Sequence, residues 1–446
     1  MNKLNRQHKF LGFTKRPQLY KISLMNKLSN KDQVRLGKDH RQIGQELDLF
    51  SFNELAPGAV FWHPKGWTIY RILKDFIRQK LYQEGYLEIS TPVMVKSDLF
   101  KRSGHWDFYS DHMFNLHVEK ESYSLKPMNC PEASLIYAVK TRSYQDLPLR
   151  FSDFGILHRN ELSGVLGGLF RVRQFTIDDA HHFIRPDQIQ EEIQKLLELV
   201  VDFYNSFNFK PEFYFSTKPD KAMGDPKLWE KAENDLEKAL KNAKVKYGIK
   251  EKDGAFYGPK IDIHIKDSQD RDWQLATIQL DFQIPDKMKL EYTDADGGAK
   301  RPVIIHRAIT GSLERFIGIL IEHYQGAFPL WLSPVQVVII PVADRHAEYA
   351  NSIVQTIKLQ GIRVELDDRK ETVGSKIRDA TLQKVPYIGI IGDKEIEKSE
   401  IRNPKSETGV IDKAFISVRT REGKDLGQIK LSNFLNKLKE EIDKKI

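Results

Sequence analysis

The chain has 446 residues, of which 40% are hydrophobic and 30% are charged, and its formal net charge is +8. This length allows two or three domains that each bury a core, and no apolar run approaches the roughly 18 residues of a membrane-spanning helix. Cys130 is the single cysteine, which excludes an intrachain disulfide, and the small positive surplus permits nucleic-acid binding without establishing it.

The N-terminal segment is basic. The first 31 residues contain eight lysine or arginine residues and no acidic residue, with hydroxyl, Asn and Leu residues between them. This composition is typical of a mitochondrial presequence. A disordered basic tail of a cytosolic protein and an RNA-contacting arm are the alternatives. We therefore expect residues 1–46 to be a targeting segment and the protein to lie in the mitochondrial matrix, with the cytoplasm as the alternative.

An amphipathic helix is predicted over residues 67–85, because apolar residues recur there at helical spacing and Gly85 follows as a terminator. A strand that contains Pro92 is predicted over residues 86–93. Taken alone, the helix is as well explained by packing on its own core as by an interface with a second chain.

A charged hairpin is predicted in the middle of the chain, where strand-like runs at 151–157 and 170–175 flank a loop rich in Gly, Ser and Asn. Arg159, Glu161 and Arg171 crowd this hairpin, and arginine is the donor suited to phosphate oxygens. The alternative is a solvated hairpin with incidental ion pairs.

A predicted strand at 273–282 places Thr277, Gln279 and Asp281 on one face and apolar residues on the other. A polar strand face in a core region needs hydrogen-bonding partners, and a substrate cleft would supply them.

Cys130, His181 and His306 each lie beside a predicted strand or the start of a predicted helix. Pro131 favours a helix N-terminus at Cys130, where the helix dipole favours the thiolate. One Cys and two His suit zinc and leave one coordination position open. The long spacing is a weak signal, since each residue taken singly is more often part of a packed core.

Residues 331–334 are interpreted as a linker. Beyond them, strands and helices alternate, which predicts a small α/β domain with a mostly parallel sheet and a final amphipathic helix.

Three segments resemble the motifs of class II aminoacyl-tRNA synthetases. The helix and strand at 67–93 resemble motif 1, Arg-x-Glu followed by Arg-x-Arg-x-Phe at 159–175 resembles motif 2, and Gly-Ser-x-Glu-Arg-Phe at 311–316 resembles motif 3. The resemblance implies an α+β fold, with an antiparallel-sheet catalytic domain at 47–333 and a C-terminal α/β anticodon-binding domain at 334–446.

The segments that carry the Cys and His residues are similar to those of the threonyl-tRNA synthetases. They are Pro-Met-Asn-Cys-Pro at 127–131, Asp-Asp-Ala-His at 178–181, Ile-His-Arg-Ala at 305–308, Phe-Tyr-Gly-Pro-Lys at 256–260 and Thr-Ile-Gln-Leu-Asp-Phe at 277–282. The resemblance covers about residues 50–446. It implies a threonine–tRNA ligase that forms threonyl-adenylate from threonine and ATP and then charges tRNA(Thr).

The resemblance also assigns the ATP site. Arg159 holds the α-phosphate, Arg315 and Arg171 hold the other phosphates, and Mg²⁺ accompanies ATP. Glu161 meets the adenine edge, and Phe175 stacks on the adenine ring.

The amino-acid site follows from the same resemblance. Zn²⁺ is held by Cys130, His181 and His306, and binds the amino and hydroxyl groups of threonine with help from Asp179 and Tyr257. Zinc thereby selects threonine over its isostere valine, which an apolar pocket rejects only about a hundredfold.

Three further roles are implied. Gln279 lies along the adenylate, and His105, in Ser-Gly-His-Trp, resembles the general base of the transfer step, with Lys260 nearby. Motif 1 implies a homodimer. Because fewer than about 50 residues precede the predicted core, we expect no N-terminal editing domain to hydrolyse seryl-tRNA.

The sequence departs from the family pattern at two places. Glu132 and Ala133 stand where the family usually has Gly-His, and Ile177 stands where it often has Gln. Neither position is a predicted zinc ligand, but both leave activation and fine contacts open.

Two rival interpretations remain. One is an inactive paralogue that keeps the fold to bind nucleic acid, against which the retained arginines and metal-type residues argue. The other is a prolyl or glycyl specificity, against which the Cys/His/His set argues.

Overall fold

The computed structural model describes residues 37–399 and 410–445. Contacts divide the chain into two units, Met1–Lys38 and Asp39–Ile446, and every helix and strand given below lies in the second. The predicted targeting segment covers residues 1–46, of which residues 1–36 lie outside the described residues and His40–Glu46 form a helix. Among the residues that are described, no helix has both the length and the apolar character needed to cross a membrane.

Up to residue 325, the strands are β1 (Phe50–Ser51), β2 (Phe61–Trp62), β3 (Leu87–Glu88), β4 (Met94–Lys96), β5 (Phe114–Val118), β6 (Glu121–Leu125), β7 (Leu149–Asp153), β8 (Ile156–His158), β9 (Gln174–Ile184), β10 (Glu212–Ser216), β11 (Tyr247–Lys250), β12 (Lys260–Lys266), β13 (Asp272–Asp281), β14 (Tyr292–Thr293), β15 (Ala299–Lys300) and β16 (Val303–Ser312). The α-helices are α1 (His40–Glu46), α2 (Pro64–Gln83), α3 (Asp98–Arg102), α4 (His105–Tyr109), α5 (Cys130–Ala138), α6 (Ile189–Asn205), α7 (Pro226–Asn242), α8 (Gln283–Lys287) and α9 (Leu313–Tyr324).

A nine-stranded sheet organises this part, in the order β11-β10-β12-β13-β16-β9-β7-β3, with β8 paired to β9. The pairs β10–β11 and β3–β7 are parallel, and the other pairs are antiparallel. Ile261, Ile278 and Ile305 point from neighbouring strands into the main core, where they join the apolar faces of α6, α7 and α9. Because side chains alternate along a strand, the intervening residues face the opposite side of the sheet.

A bulge separates β16 from β9 between Ala308 and Ser312. The buried carboxylate of Asp178 fills it by accepting hydrogen bonds from the backbone N–H groups of Ile309 (3.0 Å) and Thr310 (2.8 Å). Ser312 then caps α9 by accepting a hydrogen bond from the backbone N–H of Arg315. These contacts fix where α9, and with it Arg315, leaves the sheet.

The predicted helix at 67–85 is confirmed as α2, although it begins earlier, at Pro64, which occupies the first turn. The predicted strand at 86–93 is wrong over most of its length. Only Leu87–Glu88 is a strand, since Pro92 has no N–H with which to continue the ladder.

The chain from Phe256 to Pro259 is a turn, and the strand begins only at Lys260. Gly258 is required in this turn, because a side chain there would meet the carbonyl oxygen of Leu280 at 1.9 Å. This close approach of two backbones brings Tyr257 beside the central strands.

The C-terminal part has its own sheet and core. Its strands are β17 (Val337–Pro341), β18 (Val364–Leu366), β19 (Tyr387–Ile391), β20 (Phe415–Thr420) and β21 (Asp425–Lys430). Its helices are α10 (Ala347–Leu359), α11 (Val373–Leu382), α12 (Asp393–Lys398), α13 (Val410–Lys413) and α14 (Leu431–Lys444).

The strand order of this sheet is β18-β17-β19-β20-β21. The prediction of a mostly parallel sheet is therefore only half right, because β18, β17 and β19 are parallel whereas β20 and β21 form an antiparallel hairpin. In β20 buried residues alternate with partly exposed ones, and β21 has no buried residue, so neither strand has the continuous apolar run that marks β17.

The predicted linker at 331–334 is packed rather than free. Trp331 and Leu332 belong to the main core, and the side chain of Arg363 donates hydrogen bonds to the carbonyl oxygens of Trp331 (2.8 Å) and Ser333 (2.9 Å). The connection therefore ties the C-terminal sheet to the first part of the chain.

Candidate active site

The sheet register places predicted site residues from four strands in one row. Lys260 on β12 lies opposite Gln279 on β13, Gln279 lies opposite His306 on β16, and His306 lies opposite His181 on β9. Asp179 lies two residues from His181 and therefore on the same face. Residues that are far apart in the sequence thus share one face of the sheet.

Cys130, His181 and His306, which we call the metal-type group, come together as the sequence predicts. Their ligand atoms all lie within 4.8 Å of one another, and all three residues are buried. Cys130 enters from the first position of α5, while the two histidines stand on adjacent strands. The Nε2 atom of His306 lies 2.9 Å from a carboxylate oxygen of Asp281, which orients the ring as second-shell carboxylates orient metal-binding histidines.

The electrostatics of this group favour a bound cation. Burial, and then the nearby carboxylates of Asp179, Glu132 and Asp281, raise the pKa of the Cys130 thiol well above its ordinary value. Burial also lowers the pKa of His181 well below its ordinary value. In the protein alone, burial opposes the thiolate that the helix N-terminus favours. A divalent cation would compensate the carboxylates and stabilise the thiolate.

His105 is less accessible than a general base would be. It is fully buried, its Nδ1 lies 2.9 Å from Ser103 Oγ, and its Nε2 lies 3.1 Å from Cys130 Sγ. Burial, followed by the nearby His306, lowers the pKa of His105 to about 3. The structure thus places His105 against the metal-type group.

Lys260 is held by two carboxylates, since its ammonium group donates hydrogen bonds to Asp262 and to Asp253 (3.2 Å). The prediction put Lys260 beside His105, whose own two ring nitrogens contact Ser103 and Cys130. These contacts do not bring the two residues together.

Polar groups from two further segments surround the row. The Tyr257 hydroxyl donates to Gln279 Oε1, and its ring lies 4.8 Å from that of His306. Asn129 Nδ2 donates to Asp179 Oδ2 at 3.0 Å, while Asn129 Oδ1 is buried with no partner among the described residues. Burial raises the pKa of Asp179 to about 6. An unused acceptor beside a carboxylate suits a ligand that donates hydrogen bonds.

The predicted phosphate arginines converge on the same side of β9. The guanidinium group of Arg159 lies over the rings of Phe175 (5.0 Å) and Tyr109 (5.7 Å). The Nε of Arg315 donates to the carbonyl oxygen of Phe170 at 3.0 Å. Burial, and then the positive charges of Arg159 and Arg171, lower the pKa of Arg315. Guanidinium groups that repel one another at a partly buried site are suited to binding a polyanion.

Glu161 and Arg171 form an ion pair at 2.7 Å on the hairpin. The hairpin itself is confirmed as β8 and β9, but its second strand starts at Gln174 and continues to Ile184. Asp179 and His181 therefore lie within the strand that also carries Phe175, not after it.

Some site residues were not singled out from the sequence, among them Asn129, Ser103 and Tyr109. Asn129 directly precedes Cys130 and shares its motif, so the sequence offered a signal there. Ser103 directly follows α3 in the same Ser-Gly-His-Trp segment as His105, and Tyr109 ends α4, but only the fold reveals their contacts with His105 and Arg159.

The two departures from the family pattern differ in consequence. Glu132 is buried, both of its carboxylate oxygens lack a partner among the described residues, and burial raises its pKa to about 7. Ile177 packs beside the small cluster of Leu157, Val172 and Phe175. The first departure therefore places a carboxyl group near the metal-type site, whereas the second adds only apolar packing.

Glu314 makes the stability of this region depend on pH. It is buried and accepts hydrogen bonds from the backbone N–H of Thr176 at 3.0 and 3.2 Å, and burial raises its pKa to about 8. An unfolded carboxyl group titrates near 4.3, so the native state binds more protons and loses stability as pH rises from there towards 8. We expect Glu314→Gln, which keeps an acceptor for Thr176, to remove this loss.

Unfolding by denaturant at several pH values tests this expectation. The stability of Glu314→Gln relative to the parent chain should increase with pH by up to about 1.4 kcal/mol per pH unit in that window. Glu54→Gln is the matched control, since Glu54 is exposed. If the difference in free energy of unfolding between Glu314→Gln and the parent chain stayed constant across this pH window, the raised pKa of Glu314 would be contradicted.

Comparisons with known proteins agree with this geometry. Residues 114–324 match the family described as tRNA synthetase class II core domain (G, H, P, S and T), and residues 336–441 match the family described as anticodon binding domain. The fold and site therefore define a class II aminoacyl-tRNA synthetase core followed by an anticodon-binding domain, which confirms the α+β fold class predicted from the sequence.

Threonine–tRNA ligases of Caldanaerobacter subterraneus and Carboxydothermus hydrogenoformans are each 50% identical to this chain, over 91% and 92% of its length. The chain spans 61% and 62% of the length of these relatives. A crystal structure titled as the RNA binding domain of threonyl-tRNA synthetase from Cryptosporidium parvum is 38% identical, with a TM-score of 0.85, and the alignment covers 90% of this chain and 98% of that one. The chain belongs to the threonyl-tRNA synthetase family.

Proposed function

We propose that this chain is a threonine–tRNA ligase, which forms threonyl-adenylate and pyrophosphate from threonine and ATP and then transfers threonine to the 3′ end of tRNA(Thr). The observation that carries the proposal is that one strand, β9, bears residues of both the proposed nucleotide site and the metal-type group. Phe175, beneath the Arg159 guanidinium, and Asp179 and His181, beside Cys130, stand on one face of it. The four residue steps from Phe175 to Asp179 span about 13 Å, which suits a nucleotide joined to a small amino acid.

In the first step, the threonine carboxylate attacks the α-phosphate of ATP, and the bond to the departing pyrophosphate breaks. Such a reaction needs positioning and charge neutralisation more than covalent help. We assign the α-phosphate to Arg159 and the other phosphates to Arg171 and Arg315, with Mg²⁺ accompanying ATP. Glu161 and Phe175 take the adenine base, and Gln279 lies along the adenylate.

We assign Zn²⁺ to Cys130, His181 and His306, whose sulfur and nitrogen donors, burial and second-shell carboxylate suit that ion. When bound, Zn²⁺ supplies a Lewis-acid contact for the amino and hydroxyl groups of threonine. Asp179 accepts a hydrogen bond from the substrate, and Tyr257 closes the pocket over the His306 ring.

This arrangement accounts for a choice between threonine and valine. The two side chains have the same shape, so an apolar pocket separates such isosteres only about a hundredfold. A polar pocket rejects valine more strongly, because valine leaves its buried polar groups without a partner. Asp179 and the unpaired Asn129 Oδ1 are such groups.

For the second step we retain His105 as the proposed general base and Lys260 as its helper. Both are held by other protein groups in the structure, so tRNA must release His105 Nε2 from the Cys130 sulfur before that nitrogen can accept a proton. We assign recognition of the tRNA to the C-terminal domain, with basic side chains at phosphates and other side chains at unstacked bases.

We also propose a homodimer through the motif 1 segment. In support, β3 forms the edge of the nine-stranded sheet, and Leu87 on it is 53% exposed. The competing interpretation also has support, since the apolar face of α2 packs on the chain's own core. The mass of the protein in solution decides between a dimer and a monomer.

We propose the mitochondrial matrix as the location, on the basis of the basic, acid-free composition of residues 1–31. Import of a fluorescent protein that carries residues 1–46 tests the proposal, and a diffuse cytoplasmic signal would contradict it.

The proposed function is tested by exchange of radiolabelled pyrophosphate into ATP, followed by charging of a panel of tRNA(Thr) transcripts. We expect exchange that depends on threonine and charging that depends on tRNA(Thr). Absence of exchange in zinc-loaded protein would favour an inactive paralogue, and exchange driven by proline or glycine would establish another specificity.

A further inference from the structure

His40, at the start of α1, lies within the predicted targeting segment 1–46 and carries none of the site roles assigned above, yet it is 1% exposed. Its backbone N–H donates to Glu322 Oε1 at 2.9 Å, and its Nδ1 contacts the same oxygen at 2.7 Å. Because a carboxylate oxygen only accepts, Nδ1 carries the hydrogen of the ring. Two contacts thus join α1 to the C-terminal half of α9.

The other ring nitrogen reaches the motif 2 loop. Leu169 donates its backbone N–H to His40 Nε2 at 3.0 Å, so Nε2 is the acceptor of a neutral imidazole. Gly168, the preceding residue, has a positive φ of 54°, and a Cβ there would come within 2.2 Å of His40 Nε2. The loop and the ring therefore fit closely, and the loop residue at this contact has to be glycine.

The contact continues to a phosphate arginine. The rings of His40 and Phe170 lie 4.1 Å apart, and the carbonyl oxygen of Phe170 accepts a hydrogen bond from Arg315 Nε at 3.0 Å. The backbone N–H of Gly167 donates to the carbonyl oxygen of Arg171 at 3.1 Å and closes the same turn. The Gly168–Phe170 turn thus lies between His40 and both Arg315 and Arg171.

Asp39, His40 and Glu322 also bring ligand-type atoms within 4.8 Å of one another, as a metal site would. Both nitrogens of the His40 ring are bonded to protein groups, and the second oxygen of Glu322 is paired with Arg271. The group is therefore complete as a hydrogen-bond network and needs no metal.

We propose that His40 is a positioning residue of the ATP site: by holding Leu169 and Glu322 together, it fixes the Gly168–Phe170 turn so that the Phe170 carbonyl orients Arg315. This inference rests on the proposed function, since Arg315 is assigned there to ATP. It goes beyond that function because it gives a role to a helix that precedes the matched class II core at 114–324.

The test compares two substitutions of His40. An Asn amide lies near the position of Nδ1 and keeps the bond to Glu322, but it cannot accept from Leu169. A Gln amide reaches the position of Nε2 and restores that acceptor. We expect H40N to raise the KM for ATP in pyrophosphate exchange by about tenfold or more, with the KM for threonine unchanged within about twofold. H40Q should recover most of the loss.

His346→Asn is the matched control. His346 is also 1% exposed, accepts a backbone N–H from Ala343 at 3.2 Å and contacts Asp393 at 2.9 Å, but it lies in the C-terminal domain. H346N keeps an acceptor near Nδ1 for Ala343 but removes the Nε2 contact with Asp393, so it also costs a buried histidine one of its two side-chain bonds, and it should lower thermal stability without changing the KM for ATP. An equal rise of that KM in H40N and H346N, or no rise in folded H40N, would overturn the proposal.

Gly168→Ala provides a second variant that leaves α1 intact, and it should raise the KM for ATP because the added methyl group pushes the turn away from His40. If H40N fails to fold, an unchanged KM in G168A overturns the proposal. Failure of the proposed function is distinguishable, because the parent chain would then show no threonine-dependent exchange. The affinity of each variant for ATP, measured by calorimetry without threonine, would still decide the role of His40.

Discussion

Replacing Cys130 by Ala is expected to abolish bound zinc and to lower threonine-dependent pyrophosphate exchange by more than about a hundredfold. Loss of a residue that merely orients a metal ligand costs 10–100-fold, so loss of a ligand costs more. The two remaining proposed ligands, His181 and His306, would face the carboxylates of Asp179 and Asp281 with no cation between them. Metal analysis of the purified variant and initial exchange rates measure the two effects.

Ser134→Ala is the control for the Cys130 substitution. Ser134 is buried on the same helix and donates its hydroxyl to the carbonyl oxygen of Cys130 at 2.8 Å, but it offers no ligand to the metal-type group. It should retain zinc and most of the exchange activity. A Cys130→Ala protein that binds zinc and activates threonine like the parent chain would remove Cys130 from the site.

The second large effect is expected at Arg159. Removing one preorganised donor from a site of developing charge typically lowers kcat by about 100- to 1000-fold, and we expect Arg159→Ala to lie in that range. Zinc content should not change, because Arg159 lies over Phe175 and Tyr109 and offers no ligand atom to the metal-type group. Arg159→Lys should recover only part of the rate, since lysine lacks the planar fork.

Arg173→Ala is the matched control on the same hairpin. Its guanidinium group donates to the carbonyl oxygens of Glu161 (2.9 Å) and Pro57 (3.4 Å), and no phosphate role is assigned to it. Steady-state exchange kinetics of the two variants separate a phosphate contact from a general loss of the hairpin. Equal losses of kcat in both variants would contradict the role given to Arg159.

Local sequence patterns predicted much of the fold. The spacing of apolar residues predicted α2, and the alternation of β13 correctly placed Thr277, Gln279 and Asp281 on a polar face that meets partners. These features depend on residues a few positions apart, which is the range over which helix and strand periods act.

The parts that sequence reasoning missed depend on contacts between distant residues. His40 meets Glu322, which lies 282 residues away, and no local pattern marks such a pair. The burial that raises the pKa of Cys130 comes from the surrounding fold, whereas the helix N-terminus that suggested the opposite is visible in the sequence. His181 and His306 were grouped by resemblance, and their antiparallel register is what brings them together.

The most direct test uses one preparation of the purified chain to measure both zinc content and the exchange rates with threonine and with valine. The account predicts about one zinc ion per chain and a rate with valine more than about a thousandfold lower, because valine offers no oxygen to the polar pocket. Active protein without stoichiometric zinc, or valine activated as readily as threonine, would contradict it.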